Sequence, residues 1–355
     1  MLPENDRNRQ QYLDKADKYF NSLEVIIGWH AMEPEQGKYN EAPYLSICSW
    51  CHSHQKRTLG HLIFYGWDGL DDSDPADAHL NFIQPWVRNL NNEELEKAMK
   101  LRLNRVLAIF EGKMPNYVLM NEVLGKESLE PGDYYSKILG FKTLEPYFRW
   151  AKAVDSNANF YLNENSILAG NKTPQYIEMI RSLIEAGVEV GGIGIQGHFF
   201  GETVPPNEEM WEKLEALSVF NLPIWITEFG VQATDEKRYA EDLYRFYRLC
   251  FAHPAVIGIT RFGYWEPEMW PRGKELQKHY GWRPEAHLWR KDWSPTPAAE
   301  IYQDLVTKEW MTKGSGEIDA QGQLQFRGFF GTYRINVGGS SYTVELTPDK
   351  QTMTL

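Results

Sequence analysis

The sequence predicts an α/β fold, a (β/α)8 TIM barrel that lacks its first strand, followed by a small C-terminal β appendage. Three observations predict it. Seven short, β-branched apolar runs recur with amphipathic stretches between them. Each run is nearly continuous in apolar character, as strands buried on both faces of a parallel sheet are. No phosphate-type glycine loop accompanies them, since "GGIGIQG" neither matches GxGxxG nor opens a helix. That favours a closed barrel over an open dinucleotide-binding sheet.

Taken in order, residues 1–22 read as one polar helix with nothing strand-like before it. The strand candidates follow as "SLEVIIGW" (22–29), "RTLGHLIFYGW" (57–67), "NYVLMNE" (116–122), "NFYLNEN" (159–165), "VGGIGIQGHF" (190–199), "LPIWITEF" (222–229) and "AVIGITRFGYW" (255–265). Between them lie helical patterns such as "NEELEKAMKLRLNRVLAIFEG" and "TPQYIEMIRSLIEAG", the latter stopped by Gly187. An eighth strand has no candidate: either the first barrel strand is absent from this chain, or the N-terminal segment is not the helix that it reads as. From residue 314 the texture changes to apolar–polar alternation with Gly turns, as antiparallel strands show. The expected division is therefore a barrel over 1–313 and a β appendage over 314–355, too small to be secure alone and docked on the barrel.

Composition removes several function classes. The chain carries 37 Lys plus Arg against 49 Asp plus Glu, a net charge of -12 that argues against nucleic acid or an anionic membrane as partner. No run approaches the roughly 18 apolar residues of a membrane span, and the polar N-terminus has no signal-peptide core. Three Cys cannot build a disulfide framework. The 13 Trp and 19 Tyr suit apolar cores and also pockets for small molecules, sugars among them.

Cys48-Ser-Trp-Cys51-His52 has the spacing of c-type haem attachment. Tyr44, Leu45, Ile47, Cys48 and Cys51 nevertheless fall at helical spacing, so the thiols read as part of a buried helix face. The His52 and His54 pair sits near a helix end and reads as surface, not as a metal site. No metal or cofactor is implied.

The carboxylates point further. Glu122 closes one strand and Glu228 another, which brings both to the C-terminal mouth of a barrel, where barrel chemistry is built. A single strand-end Glu reads best as a salt bridge. Two facing carboxyl groups, one held protonated and one ionised, are what glycoside cleavage needs. Asn121 precedes the first, and Gln196 and His198 lie on an intervening strand.

At this point the chain resembles a family, glycoside hydrolase family 10, mostly endo-β-1,4-xylanases, from about residue 15 to 310. "MEPEQGKYN" is similar to its E-P-x-x-G-x-(Y/F) turn, "LGHLIFY" to R-G-H-T-L-V-W, and "YVLMNEV" to W-D-V-V-N-E-A. "FYLNEN" is similar to L-Y-Y-N-D-Y, "GIGIQGH" to G-I-G-L-Q-S-H, "WITEFGV" to I-T-E-L-D-I, and "GITRFGYWE" to G-I-T-F-W-G-x-x-D. The resemblance implies Glu122 as acid/base and Glu228 as nucleophile of a retaining enzyme. It implies sugar contacts from Asn121, Gln196, His198 and Asn163, with His198 bonded to the nucleophile and an apolar setting raising Glu122. Tyr65, Trp67, Trp86, Trp265 and Trp270 are candidate sugar platforms, each as readily explained by core packing. The implied partner is a plant polysaccharide, xylan by default, and the implied location is secreted or extracytoplasmic. Endo or exo mode and oligomeric state stay open.

Departures qualify the substrate. The family's N-E-M-K-W reads Val25-Ile26-Ile27-Gly28-Trp29, which removes the sugar-gripping Asn and Lys. Its L-V-W-H reads Ile63-Phe64-Tyr65-Gly66, which removes a sugar-binding His, and the Trp of F-W-G becomes Phe262. Two alternatives remain: the same chemistry on a different glycan, or a barrel that binds a glycan without cleaving it.

Overall fold

Seven parallel strands follow one another around a sheet, each paired with the next in sequence. They are β1 (Ser22–Ile26), β2 (Arg57–His61), β3 (Asn116–Asn121), β4 (Asn159–Glu164), β5 (Gly192–Ile195), β6 (Ile224–Val231) and β7 (Val256–Arg261). The pairing is β1–β2, β2–β3, β3–β4, β4–β5, β5–β6 and β6–β7. The structure is a computed structural model that describes residues 6–67, 82–125, 129–200, 204–269, 286–347, 349–350 and 352. Every strand falls inside the apolar run that predicts it except β6, which continues two residues past its run to Val231.

Two runs continue past their strands as short extensions, and both matter to the site. Phe64–Tyr65 pairs with the end of β3, setting Tyr65 opposite Asn121. His198–Phe199 pairs with the end of β6, setting His198 opposite Gly230. Both raise the rim at the C-terminal ends of the strands.

Helices alternate with the strands: α1 (Asp6–Tyr19), α2 (Ala42–Ser53), α3 (Asn92–Phe110), α4 (Glu145–Val154), α5 (Thr173–Glu185), α6 (Asn207–Ser218) and α7 (Glu236–Ala252). Local chemistry sets their ends. Asn91 caps α3 in a capping box, its side chain accepting from the Glu94 N–H while the Glu94 carboxylate takes the Asn91 N–H. Gly187, past the end of α5, sits at φ +71°, a left-handed turn favouring glycine. α3 buries Leu95, Met99, Leu103, Val106 and Phe110, a stripe at helical period facing the sheet. Inside, Leu59, Leu62, Val118, Tyr161 and Trp225 from four strand segments pack together. α2 turns Cys48 and Cys51 inward as buried free thiols and leaves His52 and His54 exposed. The haem-like spacing is thus a pair of core residues.

The sheet does not close through its backbone. Among the described residues no hydrogen-bonded pairing joins β7 to β1. Ile26 on β1 is 54% exposed and Ile257 on β7 is 47% exposed, unusual for strands of a barrel wall. Side chains approach across the seam instead: Thr260 of β7 lies near enough to the Glu24 carboxyl of β1 to favour its charged form. Thr260 in turn accepts from the Trp225 indole N–H at 2.9 Å.

The chain divides into two units, Met1–Ala299 and Glu300–Leu355. The second holds an antiparallel hairpin, β8 (Gly331–Val337) against β9 (Ser340–Leu346). Gly338 and Gly339 join them at φ +54° and +84°, the left-handed pair that a two-residue hairpin turn requires. Residues 314–330, where alternation suggested more strand, instead hold a turn. The Asp319 carboxylate there accepts from the N–H groups of Gln321 and Gln323.

Candidate active site

The site grows from the ends of β3 and β6. β3 bulges between Val118 and Met120, and Glu122, one residue past its end, stands at φ +52°. A left-handed Glu costs roughly 1–2 kcal/mol. It is held there by its N–H donating to the Asn163 carbonyl at 3.0 Å. Strain of this kind gathers where a side chain must be aimed. The Glu122 carboxyl accepts from the Tyr65 hydroxyl at 2.8 Å and from the Gln196 amide at 2.7 Å. Glu164 on β4 is buried beneath the same turn, accepting from the Leu124 N–H at 3.0 Å and pairing with Lys172 at 2.8 Å. Burial pushes Glu164 up to about 7 against the pull of Lys172.

Glu228 lies within β6, 8% exposed, its N–H donating to the Gln196 carbonyl at 2.7 Å. Both carboxylate oxygens are engaged. Oε1 accepts from the Asn163 amide at 3.0 Å and stands 3.2 Å from His61 Nε2, while Oε2 stands 3.2 Å from His198 Nε2. Burial would raise this carboxyl, yet charge from His61 and hydrogen bonds from His198 and His61 outweigh it. They hold Glu228 well below the usual carboxylate range. His61 is correspondingly pushed up to about 9: burial lowers it, but Glu24 and Glu228 more than compensate.

A file of amides links the two carboxyl groups. Gln196 donates to Glu122 and, at 3.3 Å, to Asn121 Oδ1. Asn163 donates to that same Asn121 oxygen at 2.7 Å and to Glu228. Asn121 thereby accepts twice, which leaves its amide nitrogen as a donor for a ligand. Asn163, expected among the sugar contacts, is fully buried, with its own oxygen taken by the Thr227 hydroxyl at 2.7 Å. Its place is behind the pair, not in front of it.

The expected aromatic platforms separate. Trp67 is half-buried edge-on to Phe82, and Trp86 is half-buried with its N–H on the Glu33 carbonyl. Trp265 is buried and stacks on Trp293 at 4.6 Å, a packing contact. Trp270 lies outside the described residues. Phe262 and Phe200 flank the His198 ring, both more than a third exposed. Sequence reading did not single out His61, Glu24, Glu164 or Phe200. The signal for the first two was present: Glu24 is the one titratable residue of β1, and His61 is the residue that ends β2.

No helix among the described residues is long and apolar enough to cross a membrane. No cluster of His, Cys, Asp or Glu among them has the form of a metal site.

A (β/α) barrel with two carboxyl groups at its strand mouth, joined by amides and each held by its own donors, defines the class: a barrel of the glycosidase type. Within that class the chain belongs to glycosyl hydrolase family 10, whose description matches residues 2–305. Among curated proteins it is 34% identical over 333 residues to the anti-sigma-I factor RsgI6 of Acetivibrio thermocellus, covering 92% of this chain and 39% of that protein. It is 32% identical over 348 residues to endo-1,4-beta-xylanase 2 of Arabidopsis thaliana, covering 95% of this chain and 30% of the relative. The chain thus spans 30% to 39% of these relatives' length. Among solved structures, native xylanase 10B from Thermotoga maritima superposes with a TM-score of 0.73 at 23% identity, covering 86% of this chain and 92% of the other. That likeness shows the fold.

Proposed function

We propose that the chain is a retaining glycoside hydrolase that cleaves β-1,4 linkages of a plant polysaccharide, xylan first among them. Glu228 is the nucleophile. Its carboxylate attacks the anomeric carbon while Glu122 gives its proton to the departing glycosidic oxygen, leaving a glycosyl ester on Glu228. Glu122, now ionised, takes a proton from water, whose oxygen displaces Glu228 and restores the starting state. The observation that carries the reading is the asymmetry of the pair. Glu228 is held ionised by two imidazoles and an amide, whereas Glu122 meets only a hydroxyl and an amide. Asn121 serves the 2-hydroxyl, and Gln196 and His198 line the cleft with Tyr65, Trp67 and Trp86. Xylanases among the relatives support the substrate class, and a secreted or extracytoplasmic location belongs with it.

A second reading, the same chemistry on another glycan, has its own support. A side chain at Gly66 would put its Cβ 2.8 Å from Asp133 Oδ2, and one at Gly28 would put its Cβ 2.9 Å from the His30 ring. Other polar groups thus occupy the room of the lost sugar-gripping side chains. One assay addresses both readings: hydrolysis of xylan, β-glucan, mannan and aryl glycosides by the protein and by Glu228→Gln. Release of sugar that the substitution abolishes supports cleavage, and the preferred polymer chooses between the readings. Binding without turnover, unchanged in the variant, overturns both.

A further inference from the structure

Glu24 takes no part in the chemistry above, yet it is buried at 6% side-chain exposure on β1. Its Oε2 stands 3.2 Å from His61 Nδ1, and His61 Nε2 stands 3.2 Å from Glu228 Oε1. One imidazole therefore lies between two carboxyl groups, a third strand's nucleophile on one nitrogen and Glu24 on the other. The ring serves Glu228 as a donor only when Nε2 carries hydrogen. A neutral imidazole left alone chooses between two tautomers, and the wrong one turns a lone pair toward the carboxylate. A carboxyl group at Nδ1 removes the choice. Ionised, it takes a hydrogen from Nδ1 of an imidazolium; protonated, it gives one to Nδ1 of a neutral ring. In both states Nε2–H faces Glu228, and both states hold the same number of protons.

We propose that Glu24 is a positioning residue which, acting through His61, keeps Nε2–H on Glu228 and so holds the nucleophile ionised and fixed in place. The inference rests on the reading of Glu228 as nucleophile. It agrees with the charges around the ring. Burial pushes Glu24 up to about 8 against the pull of His61, with Glu228 pushing it further and Thr260 opposing. His198, across Glu228 from His61, opposes the imidazolium while itself holding the nucleophile. Glu122 and Glu164 complete the charged groups near the site, and Lys172 neutralises the latter. A bare brace between β1 and β7 through Thr260 is the rival role, and it has a different signature: loss of Glu24 would then lower the melting temperature without moving any titration.

The test is Glu24→Gln, close in shape and still able to meet Thr260. The substrate is a 2,4-dinitrophenyl β-glycoside, whose leaving group needs no proton, so the acid limb of kcat/KM reports the nucleophile alone. At that limb Glu24, pushed up to about 8, already carries its proton, so the limb serves as a control. At the alkaline limb, where Glu24 is ionised, loss of a carboxylate 3.2 Å from the ring moves the limb downward by about one pH unit or more. In the same variant the His61 ring, followed by NMR, titrates below the about 9 of the parent protein. An unmoved alkaline limb with an unmoved His61 titration overturns the proposal. In the unaltered protein, His61 Nε2 must carry hydrogen across about pH 5 to 8, the range where free imidazole loses its charge. A bare Nε2 there overturns the proposal whether or not the variant folds. Should the protein turn over no glycoside, the nucleophile reading falls by itself, while the His61 titration still decides what Glu24 does to the ring.

Discussion

Asn163→Asp isolates the hold on the nucleophile from everything else. The side chain keeps its shape and its oxygen keeps the Thr227 hydroxyl, but the amide nitrogen that faces Asn121 at 2.7 Å and Glu228 at 3.0 Å becomes a carboxylate oxygen. Two like charges about 3 Å apart repel by about 5.5 kcal/mol at an effective dielectric of about 20. At about 1.4 kcal/mol per pKa unit that is an upper bound of about four units. Since either carboxyl can take the proton, the pair keeps one through acid and neutral pH, and a rise of at least about two units in the acid limb is the expected outcome. At a pH just above the parent's limb this corresponds to roughly a 100-fold fall in kcat/KM. The assay is the pH–rate profile on a dinitrophenyl glycoside, with a melting curve to confirm the fold. A variant that is folded, fully active and unmoved in its acid limb would show that Asn163 does not bear on the nucleophile, and the reasoning would fail.

Three further outcomes are expected. Glu122→Ala slows natural polymers by about 10² to 10⁴, the usual worth of a general acid, while substrates with a dinitrophenyl leaving group lose far less in the glycosylation step; equal losses on both would remove Glu122 from the acid role. His61 is pushed up to about 9 by its two carboxyl neighbours against burial. It therefore contributes stability fully present below its unfolded value of about 6.5 and lost as pH rises through about 9. The melting temperature should decline over that alkaline window and His61→Gln should flatten the decline; a parallel decline in the variant contradicts it. Gly66→His, which restores the family residue, meets Asp133 Oδ2 and the Tyr134 backbone nitrogen, at 2.8 and 2.9 Å from the new Cβ. It should destabilise by about 1–3 kcal/mol as overpacking does, read by thermal melting.

The strands were legible because both faces of a parallel sheet are buried, so each wrote itself as a continuous apolar run, from "SLEVIIGW" to "AVIGITRF". Glu122 and Glu228 were legible because a carboxylate ending such a run has few reasons to be there. The seam was legible only as an eighth strand without a candidate; that Glu24 and Thr260 would approach each other across it was not, because contacts across it join residues far apart in the chain. His61 escaped notice for a related reason. Its neighbours, Glu24 on one side and Glu228 on the other, come from different strands, and only register brings them to one ring. Asn163 was read as a sugar contact because strand-end amides in this position resemble ligands. Its total burial and saturated amide follow from Thr227 and Asn121 closing over it, which no local pattern encodes. In the second unit the alternation of 314–330 imitated strand, but a turn at Asp319 breaks the run before it finds a partner.

The central claim is that Glu228 becomes covalently bonded to sugar, and trapping tests it most directly. An activated 2-deoxy-2-fluoro glycoside of the preferred sugar forms the glycosyl ester and slows its release. Proteolysis and mass spectrometry should then find the added mass on the peptide "IWITEFGV", at Glu228, with the product sugar released by the untrapped enzyme retaining its anomeric configuration. A protein that hydrolyses the parent glycoside yet forms no adduct at Glu228, and whose product is inverted, would contradict the account.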